Sequence, residues 1–312
     1  MITDLLYIVA PVFLVLIVGY SAARFGGFDQ TTVDGIMRFA QGFAVPCLLF
    51  LSVYRMDLAT HFSSDLLLSF YTGALICFAL GTVGARVIFK RRPGEAVAVG
   101  FAALFANSVL LGLPITERAY GPDALVANFV IVSIHAPVCY LVGMVTMEMA
   151  RADGRSLSET LTVALRSLAR TPIMIGLALG FVANLLHITL FEPLEAAVDM
   201  VASAALPAAL FGLGAVLYRY RLGERLAEAG MVIVLSLLVH PLIVAILGVQ
   251  VLPLTDSQLK SAVVTAAMAP GINAYLFANL YKRAEGTAAT AVLVGTAVSV
   301  LTASGWLWWL GL

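Results

Sequence analysis

Two stretches of this sequence place ligand-binding residue types inside otherwise apolar surroundings. One reads Ala106-Asn107-Ser108-Val109-Leu110-Leu111-Gly112-Leu113-Pro114, the other Ala269-Pro270-Gly271-Ile272-Asn273-Ala274. Proline removes a backbone N–H and clashes with the preceding turn, so each stretch is suited to breaking a helix. A helix that restarts presents free N–H groups and a partial positive charge at its N-terminus, which favours an anion. The amides of Asn107 and Asn273 add donors and acceptors. On this reading Asn273 caps one restart, and Pro114 is the first residue of the other. Asn107, Ser108, Gly112, Pro114, Pro270, Gly271 and Asn273 are therefore the candidate substrate-binding residues. The alternative is that the prolines only kink helices and the amides bond neighbouring helices.

Two histidines share such surroundings. His135 and His240 are each followed by a proline within two residues. Histidine titrates near neutral pH, so either could relay a proton or offer charge to an anion. A neutral histidine bonded across helices is the other reading. Cys47, Cys77 and Cys139 all fall in apolar runs and read as small buried hydrophobes, not as a disulfide frame or metal ligands. No metal site and no cofactor are expected.

The elements that must position these residues follow from composition. The 312 residues are 61% hydrophobic and 12% charged, with a mean hydropathy of +1.00. A soluble domain is nearer a quarter charged, so the bilayer is the solvent that fits this chain. The net charge of zero gives no argument for a nucleic-acid partner. Ten segments are long and apolar enough to span: Leu5–Ala23, Gly35–Tyr54, Asp65–Phe89, Glu95–Arg118, Ala124–Met147, Arg166–Leu186, Glu195–Leu217, Ala227–Leu252, Ser257–Tyr281 and Thr287–Leu310. The N-terminus has no charged leader and reads as the first span, not as a signal peptide.

Basic residues test that count. With the N-terminus outside, fifteen of the 18 Lys and Arg residues collect at inner loops and helix ends, leaving Arg55, Arg118 and Lys260 outside. Both termini are then outside, and Trp306, Trp308 and Trp309 lie at the outer interface, where indole rings are favoured. His135 and His240 fall about halfway through the fifth and eighth spans. No acidic residue lies near the middle of any span, which argues against a carboxylate-based cation antiporter. Asp199, Glu117, Arg118 and Glu148 sit near helix ends, within reach of water. Gln41 and Asn128 read as packing hydrogen bonds.

The hydrophilic linker at 151–160 divides the chain and carries a capping-box pattern, Ser156-x-x-Glu159. Residues 1–150 and 161–312 then form two repeats. Gly19 and Gly180, Pro46 and Pro207, and Phe50 and Phe211 are each 161 apart. Five spans is an odd number, so the second repeat enters the membrane inverted, an arrangement characteristic of secondary transporters. The two broken stretches fall in corresponding spans, four and nine, and such paired interruptions mark a transport site. Gly176-x-x-x-Gly180 fits a close helix contact, for packing within the fold or for a dimer.

The strings ANSVLLGLPI and MAPGINAYLFANLY resemble the two crossover motifs of the auxin efflux carrier family, which includes bacterial carboxylate carriers and plant PIN proteins. The resemblance covers the whole chain. It implies an all-α membrane fold similar to NhaA and the bile-acid symporters, with ten helices in two inverted repeats of five and crossed, broken helices four and nine. Spans one, two, six and seven would form a scaffold, usually dimeric; spans three to five and eight to ten would form a moving transport domain. Asn107, Pro114, Pro270 and Asn273 match the family's crossover residues. The plant members' long cytosolic loop is absent, and span three has only Asp65, at its outer end, in place of an acidic–basic pair.

The expected function is a carrier for a small organic anion, a carboxylate of auxin-like or dicarboxylate type, working by alternating access in the bacterial inner membrane. A channel or receptor for a small organic acid is the alternative. An intramembrane enzyme would need an HExxH motif, paired membrane aspartates or a serine–histidine set, and none is present.

Overall fold

A computed structural model describes residues 2–57, 63–151, 162, 166, 169–220 and 225–312. The 151–160 linker, with Ser156 and Glu159, lies outside the described residues apart from Arg151. Among the described residues every regular element is helical, and strand-like pairing is limited to an isolated bridge between Ala106 and Pro270.

Seven helices are long and apolar enough to cross a membrane: Tyr7–Phe25, Gln30–Tyr54, Ser64–Val87, Pro122–Ala150, Glu192–Leu217, Leu226–Gln250 and Glu285–Trp309. They answer to expected spans one, two, three, five, seven, eight and ten. The fourth segment is split into α1 (Pro93–Leu104) and α2 (Leu113–Tyr120), and the ninth into α3 (Asp256–Ala266) and α4 (Ile272–Tyr281). The sixth is the 14-residue helix Pro172–Leu185, which starts six residues later than expected. There the Thr171 hydroxyl accepts from the Met174 N–H and Pro172 occupies the first turn, a local start signal stronger than the hydrophobic run.

Three helices contain one widened π turn, at Ala40–Ala44, Ser108–Gly112 and Leu235–Val239. Each turn is followed two residues later by a proline: Pro46, Pro114 and Pro241. Proline cannot donate to the carbonyl four residues back and its ring collides with it. In all three cases that carbonyl, of Gly42, Leu110 or Leu237, lies inside the π turn, so the helix widens where proline demands it.

The chain forms two compact units. One comprises Pro11–Phe62 and Arg166–Arg219. Its helices approach at glycines: a methyl on Gly19 would stand 2.0 Å from the carbonyl oxygen of Phe211, and one on Gly180 would stand 2.7 Å from that of Phe50. These two contacts interconvert under the 161-residue offset. Gly176 packs likewise on the Pro46 carbonyl, so the Gly176-x-x-x-Gly180 face serves contact within this unit. Ion pairs flank the packing. Arg55 meets Glu195 at 2.7 Å and Asp199 at 2.9 Å, and Arg219 meets Asp34 at 2.7 Å. Asp34 and Glu195 are again 161 apart. The Glu195 hydrogen bond raises the Arg55 guanidinium above its ordinary range.

The other unit comprises Met1–Ala10, Ser63–Leu165 and Tyr220–Leu312. Helix Ser64–Val87 packs closely on α1, and Phe101 of α1 stacks on Phe277 of α4 with centroids 3.8 Å apart. At one end, buried Arg91 forms a two-point pair with fully buried Glu228, at 2.8 and 2.6 Å, and Thr287 donates to the same carboxylate at 2.7 Å. Arg86 donates to the Arg91 carbonyl, and Glu95 lies 3.2 Å from the Arg91 guanidinium. The Glu228 hydrogen bond holds the Arg91 pKa above its usual value.

Candidate functional site

The two breaks lie side by side within one unit. After α1, Phe105 turns out of the helix, and Asn107 precedes the π turn that leads into α2. After α3, Ala267–Gly271 run without helix until α4 begins. The Asn107 N–H donates to the Ala269 carbonyl at 2.9 Å, and the Gly271 N–H donates to the Phe105 carbonyl at 2.9 Å. Ala106 and Pro270 are thus the non-hydrogen-bonded pair of a minimal antiparallel bridge. That is a position where proline's missing N–H costs nothing. Each break therefore satisfies backbone groups of the other, as a non-helical segment inside a membrane fold must.

The breaks place the predicted residues unevenly. Asn107 is 5% exposed, and its amide nitrogen has no partner among the described residues. The Ser108 hydroxyl donates to the Ala106 carbonyl at 3.3 Å. Asn273 is half-buried in the first turn of α4, and its Oδ1 accepts from the Tyr140 hydroxyl at 3.1 Å. Two expectations are corrected. Gly271, not Asn273, is the N-cap of α4, because its extended backbone already turns the chain into the helix. Pro114 does not begin the restart: the Leu111 and Gly112 N–H groups already bond the Asn107 carbonyl, so Pro114 falls in the second turn. Gly112 meets no atom closer than 3.6 Å where a side chain would stand, so packing does not require glycine there.

His135 and His240 belong to one buried aromatic cluster. The Phe70 ring lies 5.7 Å from His135 and 4.9 Å from His240. His135 packs edge-on to Phe105 at 4.8 Å, which sets it beside the break. His240 donates through Nε2 to the Phe70 carbonyl at 3.1 Å, one layer away. Asn128 makes the expected packing bonds, to Thr116 at 3.1 Å and to Thr265 at 2.6 Å, linking α2 and α3 on one side of the breaks.

Sequence reasoning missed Tyr140 and Gly295. A phenol in an apolar helix must find a hydrogen-bond partner, which was the available signal for Tyr140. Gly295 faces the Pro270 ring so closely that a methyl there would stand 3.1 Å from it, and nothing marks it out among 26 glycines.

The arrangement offers uncharged donors: two amides, one held by a tyrosine, and the N-terminal N–H groups of α4. No cluster of three or more His, Cys, Asp or Glu side chains that could hold a metal occurs among the described residues. Such a site suits a carboxylate, held by hydrogen bonds and the helix dipole.

A family profile described as "Membrane transport protein" matches residues 5–307. The "Putative malonate transporter" of Rhizobium meliloti (strain 1021) is 27% identical, over 96% of this chain and 94% of its own length. "Uncharacterized transporter YfdV" of Escherichia coli (strain K12) is 24% identical over 91% of each chain. "Auxin efflux carrier component 5" of Arabidopsis thaliana is 22% identical over 93% of this chain and 92% of its own. These relatives are transporters and not enzymes. With a match over nearly its whole length and a helical fold built around paired breaks, the chain belongs to the auxin efflux carrier family of membrane transporters.

Proposed function

We propose that this protein carries a small organic anion across the bacterial inner membrane, and that the anion binds at the crossed breaks. The observation that carries the reading is the buried, unpartnered amide nitrogen of Asn107 beside the bridge. A buried donor without a partner costs about 1–3 kcal/mol, and a carboxylate oxygen would satisfy it. Asn273 supplies the second donor, with its oxygen engaged by Tyr140. The malonate in one relative's name makes a short dicarboxylate the first substrate to try.

Transport proceeds by alternating access in this reading. The unit containing the breaks is the transport domain, and the unit of Pro11–Phe62 and Arg166–Arg219 is the scaffold. Ten spans in two inverted repeats, with both termini outside, accommodate the split fourth and ninth segments and the short sixth helix. The paired contacts Gly19–Phe211 and Gly180–Phe50 support the inversion. The scaffold also forms the homodimer. His135, edge-on to Phe105 beside the break, is the histidine we propose to sense the bound anion.

The test is a thermal-shift screen of the purified protein with small mono- and dicarboxylates, malonate and indole-3-acetate included. A ligand at a hundred times its dissociation constant stabilises by about 2.7 kcal/mol. A shift that Asn107→Ala and Asn273→Ala abolish supports the site. An undiminished shift in both variants refutes it.

A further inference from the structure

One groove on the scaffold-type unit runs along the line where its helices meet and contains none of the residues proposed for the transport site. It has two connected parts that share Gly42 and Pro172. The first, a cavity of about 580 Å³, is lined by Asp34, Arg38 and Gln41. The second, a trough of about 490 Å³, runs on between Pro46 and Phe50 on one wall and Ile175 and Leu179 on the other. Ile175 and Leu179 are 47% and 56% exposed, so the trough is open. All of these residues belong to the same unit.

Charge and length together say what fits. At the mouth, Asp34 is neutralised by Arg219 at 2.7 Å, whereas exposed Arg38 has no ion pair among the described residues. Among the described residues the mouth therefore carries an uncompensated positive charge. Arg38 also belongs to the basic set that the charge distribution assigns to the cytoplasmic side. From Gly42 to Phe50 the helix rises about 12 Å at 1.5 Å per residue. One leaflet of hydrocarbon is about 15 Å deep, half of the usual core. A cationic mouth at the surface, leading into an apolar trough of leaflet depth, matches an anionic headgroup joined to an acyl chain. A basic recess beside membrane helices on the cytoplasmic side is a recognised kind of lipid site.

We propose that this groove binds an anionic phospholipid of the inner leaflet, with its phosphate on Arg38 and one acyl chain along Pro46, Phe50, Ile175 and Leu179. The site is separate from the substrate breaks and stands whether or not the carboxylate reading holds.

The experiment is native mass spectrometry of the full-length protein, equilibrated in detergent with equal phosphatidylglycerol and phosphatidylcholine. The wild type is expected to retain phosphatidylglycerol preferentially. Arg38→Gln, at an exposed position, should lower that preference about fivefold, equivalent to the roughly 1 kcal/mol that one basic residue gains near an anionic membrane surface. Leu179→Trp fills the trough and should remove retention of both lipids. Equal retention of the two lipids by the wild type overturns the proposal, as does retention unchanged by Arg38→Gln. Leu179→Trp protein that keeps its lipid but loses a dimer mass would show that a second copy of the chain occupies the groove, and would equally overturn it.

Discussion

Asn273→Asp separates folding from binding most sharply. The side chain sits in the first turn of α4, and Tyr140 donates to its Oδ1 at 3.1 Å. Aspartate keeps that acceptor and strengthens the bond by charge. It also places a carboxylate near a helix N-terminus, worth about 0.3–1 kcal/mol. The unliganded variant should therefore melt at or slightly above the wild-type temperature. Binding should move the other way. The amide donor to a carboxylate ligand, about 1.5–3 kcal/mol as a charge-assisted bond, is lost. Two carboxylates about 5 Å apart repel by about 3 kcal/mol at an effective dielectric of 20. Together these weaken anion binding by more than about a thousandfold, since each 1.4 kcal/mol is tenfold. At a ligand concentration a hundred times the wild-type dissociation constant, the thermal shift should vanish while the unliganded melting temperature holds. Uptake into proteoliposomes should fall to background. An Asn273→Asp protein that binds and transports the wild-type substrate with unchanged affinity would refute the role given to this amide.

Further outcomes follow from the packing. Gly214→Ala pushes a methyl to within 2.0 Å of the Leu16 carbonyl oxygen and should destabilise by at least about 1–3 kcal/mol, whereas Gly112→Ala, with no atom nearer than 3.6 Å, should melt like the wild type. Glu228→Gln removes the two-point charged partner of buried Arg91, leaving Glu95 at 3.2 Å, and should cost about 1.5–3 kcal/mol, read as a lower melting temperature in detergent. His135→Ala empties the ring space between Phe70 and Phe105 and should cost about 2–5 kcal/mol, read as a lower melting temperature in detergent.

Both breaks were legible in the chain because their causes are local. Proline and glycine act on the turn in which they sit, so Pro270 and Gly271 announced an interrupted helix without knowledge of their neighbours, while Pro114 marked the widened turn that follows the other break. Asn107 was likewise legible as a polar side chain in an apolar run. The exact restarts were not. Gly271 took the capping position expected for Asn273, and the fourth helix resumed at Ser108 rather than at Pro114. Those outcomes depend on which carbonyls the opposite break supplies. The π turns before Pro46, Pro114 and Pro241 lie between the two cases: the proline is visible, but widening rather than kinking is a choice made by the surrounding packing.

By itself, the sequence determined the solvent, the apolar segments, the placement of basic residues and the positions at which helices must fail. Each of these rests on side-chain transfer energies or on one turn of backbone. Only the tertiary structure decided that Ala106 and Pro270, 164 residues apart, pair as a bridge. It also decided that Tyr140 reaches Asn273, that Gly295 admits the Pro270 ring, and that Gly19 and Gly180 each receive a carbonyl from the other half of the chain. Such contacts depend on the register between helices, which local energies leave open and which close packing across the whole unit selects.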